Sequence, residues 1–380
     1  MADEDVLIHA DDRGSWGWAG SLLVPARASG PVNHYADFDR DRQEERAADA
    51  GTAWLSAQWG VHWSAQWGPD GAGRFEIRYR NDPEAGDGLL RCACLCRIRG
   101  GTVRGAVDQA RAYRGSLASG LPGHVRAEPL TRAEDVHGWL VPFDEPGPGN
   151  SQTEIIKRLT WRQTLRPDAD RTVTLLVARL SGRRVPWEPM LRRLATLPFP
   201  AVLSVGIEPF QRSAAFRLGL QTLADQYAAL ARPAANPPPQ STPEPPDHFA
   251  AQAAQRYAHY VRQHASPAFR IRISLAGARE LPEHLGGWLL TALGDGGPES
   301  GGSAASALRP LPDERDTAWT NLTTLSAAWL TDTFRGRLPE VVLGPVERDL
   351  MVLVDLAEAR SLIQLPISWP GEPELFAGAE

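Results

Sequence analysis

Residues 88–143 constrain the fold of this chain more than any other stretch. Residues 88–101 are rich in leucine, cysteine, isoleucine and arginine, and they predict a long strand that ends at the pair Gly100-Gly101. Residues 102–121 place apolar side chains on one face at helical spacing, and Gly120 and Pro122 end the segment. Residues 124–130 predict a second, short strand. The pattern therefore predicts a β-α-β unit, and later strand and helix patterns predict that the unit recurs.

The chain has 380 residues, which is enough for two or three domains. A proline-rich stretch at 232–246 gives the clearest boundary, and such a stretch is typically extended and semi-rigid. A Gly/Ser-rich loop at 294–306 is expected to be disordered. We therefore predict an α+β protein with these parts: a Trp-rich extension over 1–68, α/β units over 69–145, 151–231 and 247–380, and the linker 232–246.

The predicted extension is irregular and contains a short duplication. Ser56-Ala-Gln-Trp-Gly60 recurs as Ser64-Ala-Gln-Trp-Gly68. One interpretation is a hairpin whose tryptophans cover the edge of a sheet. The other is an exposed aromatic surface, formed by Trp59, Trp63 and Trp67, that binds a partner or stacks on bases.

Cys92, Cys94 and Cys96 lie at alternate positions of the first predicted strand, so their side chains share one face. Tetrahedral zinc needs ligands that converge on one point, and a straight strand does not provide this arrangement. Because free cysteine is among the most buried residue types, we predict a packed core face. A metal or redox role is the alternative interpretation.

Other sequence patterns argue against catalysis. There is no phosphate-binding G-x-x-x-x-G-K-[ST] loop, no G-x-S-x-G and no H-E-x-x-H, and Asp37, Asp39 and Asp41 lack the glycine and glutamate of a calcium loop. We therefore expect no enzymatic activity and no cofactor, although an enzyme of unrecognised class stays open.

The acidic N-terminus has no apolar signal region, and no apolar run is long enough to span a bilayer, so we expect a cytoplasmic protein.

The net charge of −6 argues against wholesale nucleic-acid binding but allows a local basic face. Such a face is suggested between residues 157 and 193, where acids are few. Solvated arginines that cover apolar surface are one interpretation, and a face for nucleic acid or an acidic partner is the other. The candidate residues are Arg158, Arg162, Arg166, Arg183, Arg184, Arg192 and Arg193.

The order of elements resembles the N-terminal, pre-motor region of HerA/FtsK-type and conjugation-type ATPases. The resemblance spans roughly residues 70–370 and is one of pattern. It rests on Phe75-Glu-Ile-Arg-Tyr79, residues 90–99, the helix at 102–121, Trp139-Leu-Val-Pro-Phe143, and a closing segment, residues 350–366, that is similar to the lead into the motor domain.

The resemblance implies two or three ferredoxin-like units. It also implies a non-catalytic assembly subunit that partners a separately encoded P-loop ring ATPase in DNA translocation, conjugation or defence. The chain ends at Glu380, where a motor domain would begin, so no ATPase residue is carried over. Our second hypothesis is a module that binds DNA or another nucleic acid through the basic face. Association between copies of the chain stays open.

Overall fold

A computed structural model describes residues 2–11, 14–26, 40–62, 73–144, 151–164, 171–182, 187–233, 247–263, 267–294, 303–339, 342–369 and 372–378. The fold is mixed α+β with antiparallel sheets, as the sequence predicts at this level. The strands in the described ranges are β1 Ala2–Asp3, β2 Val6–Asp11, β3 Gly14–Pro25, β4 Arg74–Asn81, β5 Leu90–Gly100, β6 Val125–Pro129, β7 Ser151–Lys157, β8 Leu159–Gln163, β9 Val173–Val177, β10 Ala201–Phe210, β11 Ala268–Gly277, β12 Ala305–Leu308 and β13 Leu353–Asp355.

Several α-helices form where the sequence pattern predicts them. Phe216, Leu220, Leu223, Tyr227 and Leu230 recur at helical spacing and predict a helix over 214–230, and α5 has these bounds and buries this stripe. Asp355, followed three residues later by Glu358, predicts a capping box, and the two residues form it at the start of α11. The α-helices in the described ranges are α1 Arg40–His62, α2 Val103–Ser119, α3 Ala133–Leu140, α4 Glu188–Ala195, α5 Ala214–Leu230, α6 His248–Gln263, α7 Glu283–Leu293, α8 Arg315–Thr324, α9 Thr331–Arg335, α10 Pro345–Val352 and α11 Leu356–Leu362.

One large sheet joins strands from every predicted unit. Its order is β1-β2-β3-β5-β4-β10-β11-β7-β12, with β6 beside β3 and β13 beside β11. Strands β5 and β6 both run antiparallel to β3 and are therefore parallel to each other. Helix α2 connects them, so the predicted β-α-β unit is a split one with β3 between its two strands. The remaining pair, β8 and β9, forms a separate two-stranded sheet.

The two faces of the central strands have different chemistry. Phe75, Ile77 and Tyr79 of β4 pair with Cys96, Cys94 and Cys92 of β5. All six side chains are buried in an apolar core with residues of α1, α2, α4 and α7. The predicted packed face of the cysteines is therefore confirmed.

The opposite face carries buried charges. Glu76 contacts Arg78 at 3.0 Å, Arg272 at 3.2 Å and Arg74 at 3.7 Å. Arg272 also lies 3.4 Å from Glu154. The charged face is covered by helices, because Arg78 donates to the carbonyls of Trp139, Leu140 and Leu322, and Arg272 donates to that of Asn321. These bonds hold the C-terminal ends of α3 and α8 against the sheet.

The expectation of an irregular N-terminal extension is wrong for its described part. Strand β3 lies inside the large sheet between β2 and β5, and α1 contains the first Ser-Ala-Gln-Trp-Gly copy, so this copy is not in a hairpin. Trp54 is buried and donates to the carbonyl of Leu117 at 2.9 Å. Residues 27–39 and 63–72, including the second copy, lie outside the described residues.

Two further expectations need correction in the C-terminal half. The predicted loop 294–306 includes the start of β12, which pairs with β7 from Ala305 onward; residues 295–302 of the loop lie outside the described residues. The spacing of Trp319, Leu322, Leu325 and Trp329 predicts one helix, but α8 ends earlier, because Leu325 adopts a left-handed conformation with φ of 54° and caps it. The linker residues 234–246 also lie outside the described part of the chain, and the predicted division into units stays a prediction.

Glu76→Gln is expected to lower the free energy of unfolding by about 3–5 kcal/mol, because it leaves three buried guanidinium groups without their shared carboxylate. Urea unfolding measures the change. The control is Glu134→Gln, which removes a carboxylate that is 84% exposed and pairs with Arg132 on the surface. Equal unfolding midpoints for the two variants would contradict the prediction.

Candidate functional site

A groove of about 690 Å³ lies between α6 and the β8–β9 hairpin. Helix α6 forms one wall. Asp247 caps this helix, because its carboxylate accepts hydrogen bonds from the N–H groups of Phe249 and Ala250 at 2.9 and 3.0 Å. The buried stripe of α6 packs with β9 and α5 in a second apolar core. This stripe consists of Ala250, Ala253, Tyr257 and Tyr260.

The polar stripe of α6 faces the groove. Gln252, Arg256, His259 and Arg262 recur at intervals of three or four residues, and Gln255 lies next to Arg256, so all five lie on one side of the helix. The opposite wall comes from the hairpin and the residues that flank it. Its lining side chains include Arg158, Trp161, Arg162 and Arg179.

The groove is strongly basic. Five arginines and one histidine line it, and none of its lining residues within the described ranges is acidic. Arg162 reaches across from β8, and its Cζ lies 5.3 Å from the ring centre of Phe249 on α6. Asp355 lies 3.7 Å from Arg179 and offsets part of that charge. The arrangement provides a site for an anion at which positive charge comes from both walls.

A buried ion pair stabilises the chain next to the groove. Lys157 Nζ lies 2.7 Å from Glu358 Oε1, and both side chains are fully buried. Glu358 also accepts a hydrogen bond from the Leu180 N–H at 2.9 Å. Tyr260 of α6 donates to the carbonyl of Ala178 at 2.8 Å, so the residues after β9 are held from two sides. Burial lowers the pKa of Lys157 more than Glu358 raises it.

His259 lies among the arginines of the groove. Burial, Arg179, Arg256 and Arg262 lower the pKa of His259, and Asp355 opposes them. The imidazole is therefore neutral over a wider pH range than an ordinary histidine. Its Nε2 is buried and has no hydrogen-bond partner in the described part of the chain.

The structure brings together only part of the predicted basic face. Arg158 and Arg162 line the groove, whereas Arg192 and Arg193 lie on α4, where Arg192 pairs with Glu188 at 2.7 Å. The two arginines of α4 therefore do not line this groove. Lys157 is buried and is not part of any basic surface. Three further candidates lie outside the described residues: Arg166, Arg183 and Arg184.

Sequence reasoning missed the α6 wall. The spacing of Gln252, Arg256, His259 and Arg262 was a usable signal, because it repeats with a helical period opposite the apolar stripe. The sequence does not show that the polar side of α6 faces the β8–β9 hairpin, which lies about 90 residues earlier in the chain.

The predicted aromatic surface is not assembled by the described residues. Trp59 is half-buried against the main core, and Trp63 and Trp67 lie outside the described residues. A different tryptophan is exposed: Trp161 lines the groove and is 45% exposed. The signal for it was an aromatic residue directly before Arg162 in a strand with polar neighbours.

The cysteines offer no reactive thiolate. Burial raises the pKa of all three thiols, that of Cys96 to about 12. Within the described ranges, no group of three or more histidine, cysteine or acidic side chains could hold a metal ion.

Comparison with known proteins leaves the groove as the main guide to function. No protein-family model matches the chain, and no curated protein matches it at a significant level. No helix in the described part of the chain is long and apolar enough to cross a membrane.

The electrostatics of the groove predict the titration of His259. Its pKa should lie below the usual 6.5, and Arg179→Gln should raise it, because the substitution removes a nearby positive charge. A histidine with a depressed folded-state pKa contributes stability that is present above pH 6.5 and is lost as the pH falls through the folded-state pKa. NMR titration of the imidazole, assigned with His259→Gln, measures the value. An unchanged pKa in Arg179→Gln would contradict the prediction.

Proposed function

We propose that this protein binds nucleic acid in the groove between α6 and the β8–β9 hairpin. The observation that carries the proposal is the convergence of five arginines on one groove in a chain whose net charge is −6. A cleft in which positive charge is concentrated attracts an anionic ligand, even when the net charge of the whole protein is negative.

The mixture of side chains favours nucleic acid over a simple anion. Arginine guanidinium groups bind phosphates through paired hydrogen bonds, while glutamines and an exposed aromatic ring contact bases and sugars. Gln252 and Gln255 provide the amides on α6, and Trp161 provides the ring. A groove that bound a simple anion through charge alone would not need an exposed indole.

The resemblance to pre-motor regions of ring ATPases remains a second proposal. The split unit of β5, α2 and β6 supports its ferredoxin-like part, because β3 lies between two parallel strands. Co-purification with a separately encoded P-loop ATPase tests the assembly role. Isolation of the protein without such a partner, from cells that express both genes, counts against it.

Binding of a fluorescently labelled oligonucleotide tests the proposed function. Arg162→Ala and Arg256→Ala should each weaken binding about tenfold or more, because each removes a charge-assisted contact. The matched control is Arg193→Ala, which removes an exposed arginine of α4 outside the groove and should leave affinity unchanged.

Salt dependence provides an independent readout of the same function. The logarithm of the association constant should fall with the logarithm of salt concentration by roughly 0.7 for each phosphate neutralised on a single strand. Each groove variant should reduce this slope, and Arg193→Ala should not. Absence of binding at low salt, or equal losses in all three variants, would refute the proposal.

A further inference from the structure

Helix α6 gives the groove a linear shape. From Phe249 to Arg262 the helix rises about 20 Å, at about 1.5 Å per residue. Arg256, His259 and Arg262 follow one another along this wall, and Arg158, Arg162 and Arg179 lie on the other. Charge therefore extends along the groove on both sides, an arrangement that suits a strand of successive phosphates better than a single compact anion.

Trp161 adds a binding element that phosphates do not use. Its indole lines the groove and is 45% exposed, whereas Trp54 and Trp187 are buried in the main core. An exposed indole beside arginines is suited to stacking on a nucleobase, and each such stack contributes roughly tenfold or more to affinity. Trp161 and Arg162 both line the groove, so a nucleotide whose base stacks on the indole would have guanidinium groups available for its phosphate.

Duplex nucleic acid could not use this element. Bases in a duplex are paired and stacked inside the helix, and only phosphates and base edges are accessible. A single strand has free base faces, and its backbone can follow a groove between two walls.

From these observations we infer that the ligand of the groove is single-stranded nucleic acid, with its backbone between the two arginine walls and a base stacked on Trp161. This inference rests on the proposed function and narrows it. It states that bases as well as phosphates are bound, and that one tryptophan distinguishes a single strand from a duplex.

The test compares two single strands of equal length and charge, and a duplex of the same length. Full-length protein is titrated with a labelled oligothymidylate, with an abasic strand that has the same backbone without bases, and with a duplex. We expect the oligothymidylate to bind roughly tenfold or more tightly than the abasic strand. An oligouridylate arm compares RNA with DNA, and tight binding of either single strand supports the inference.

Substitution of the tryptophan isolates the stacking contact. Trp161→Ala should weaken binding of oligothymidylate about tenfold, to the level of the abasic strand, and should leave abasic and duplex affinities unchanged. Trp161→Phe should restore most of the loss, because phenylalanine retains an aromatic face. The control is Trp288→Ala on α7, a residue that is 39% exposed and lies outside the groove.

The outcomes separate this inference from the proposed function. Equal wild-type affinities for oligothymidylate, abasic strand and duplex, with losses in Arg162→Ala, would overturn the inference and keep the nucleic-acid proposal. A uniform loss in Trp161→Ala across all three ligands would also overturn the inference. Competition by polyglutamate as strong as that by oligothymidylate would refute both, because it would indicate an acidic protein ligand.

Discussion

The buried charges around Glu76 are the interaction on which the rest of the fold depends. A carboxylate and three guanidinium groups occupy a sheet face that a typical α+β protein fills with apolar side chains. Burial raises the pKa of Glu76, but Arg272, Arg78 and Arg74 together lower it by more than burial raises it. The pKa is therefore below its ordinary value, and the carboxylate stays ionised. Since buried charges require partners, the carbonyl groups at the ends of α3 and α8 must lie where the arginines reach them. Hydrogen-bond geometry therefore determines where these helices pack.

Strong local periodicity made much of the fold predictable. The apolar stripe of α5 indicates a helix and the alternation of apolar and charged residues in β4 indicates a strand, and both segments form the element that their pattern indicates. The alternation in β4 shows which residues share a face, but it does not show that the charged face is also covered. Part of that cover comes from α8, more than 230 residues later in the chain.

Strand β3 and the groove escaped prediction for related reasons. In β3, a Cβ atom at Gly17 would lie 2.7 Å from the Ala106 carbonyl oxygen of α2, so the packing of α2 requires glycine at this position. Glycine inside a strand weakens the sequence pattern that would indicate the strand. In the groove, Arg158 and Arg162 were accessible to sequence reasoning, but their partners on α6 meet them only through tertiary structure. Local pattern gave one wall of the site, and long-range packing supplied the other.

The ion pair of Lys157 and Glu358 has a chemical consequence beyond its role beside the groove. Lys157 is the only lysine among the 380 residues, and its side chain is fully buried. The native protein therefore presents no accessible side-chain amine for acylation, ubiquitin transfer or amine-directed cross-linking. Covalent labelling of this one ε-amino group would report the opening of the fold at β7, and the surface would carry its positive charge in a form that such modifications do not neutralise.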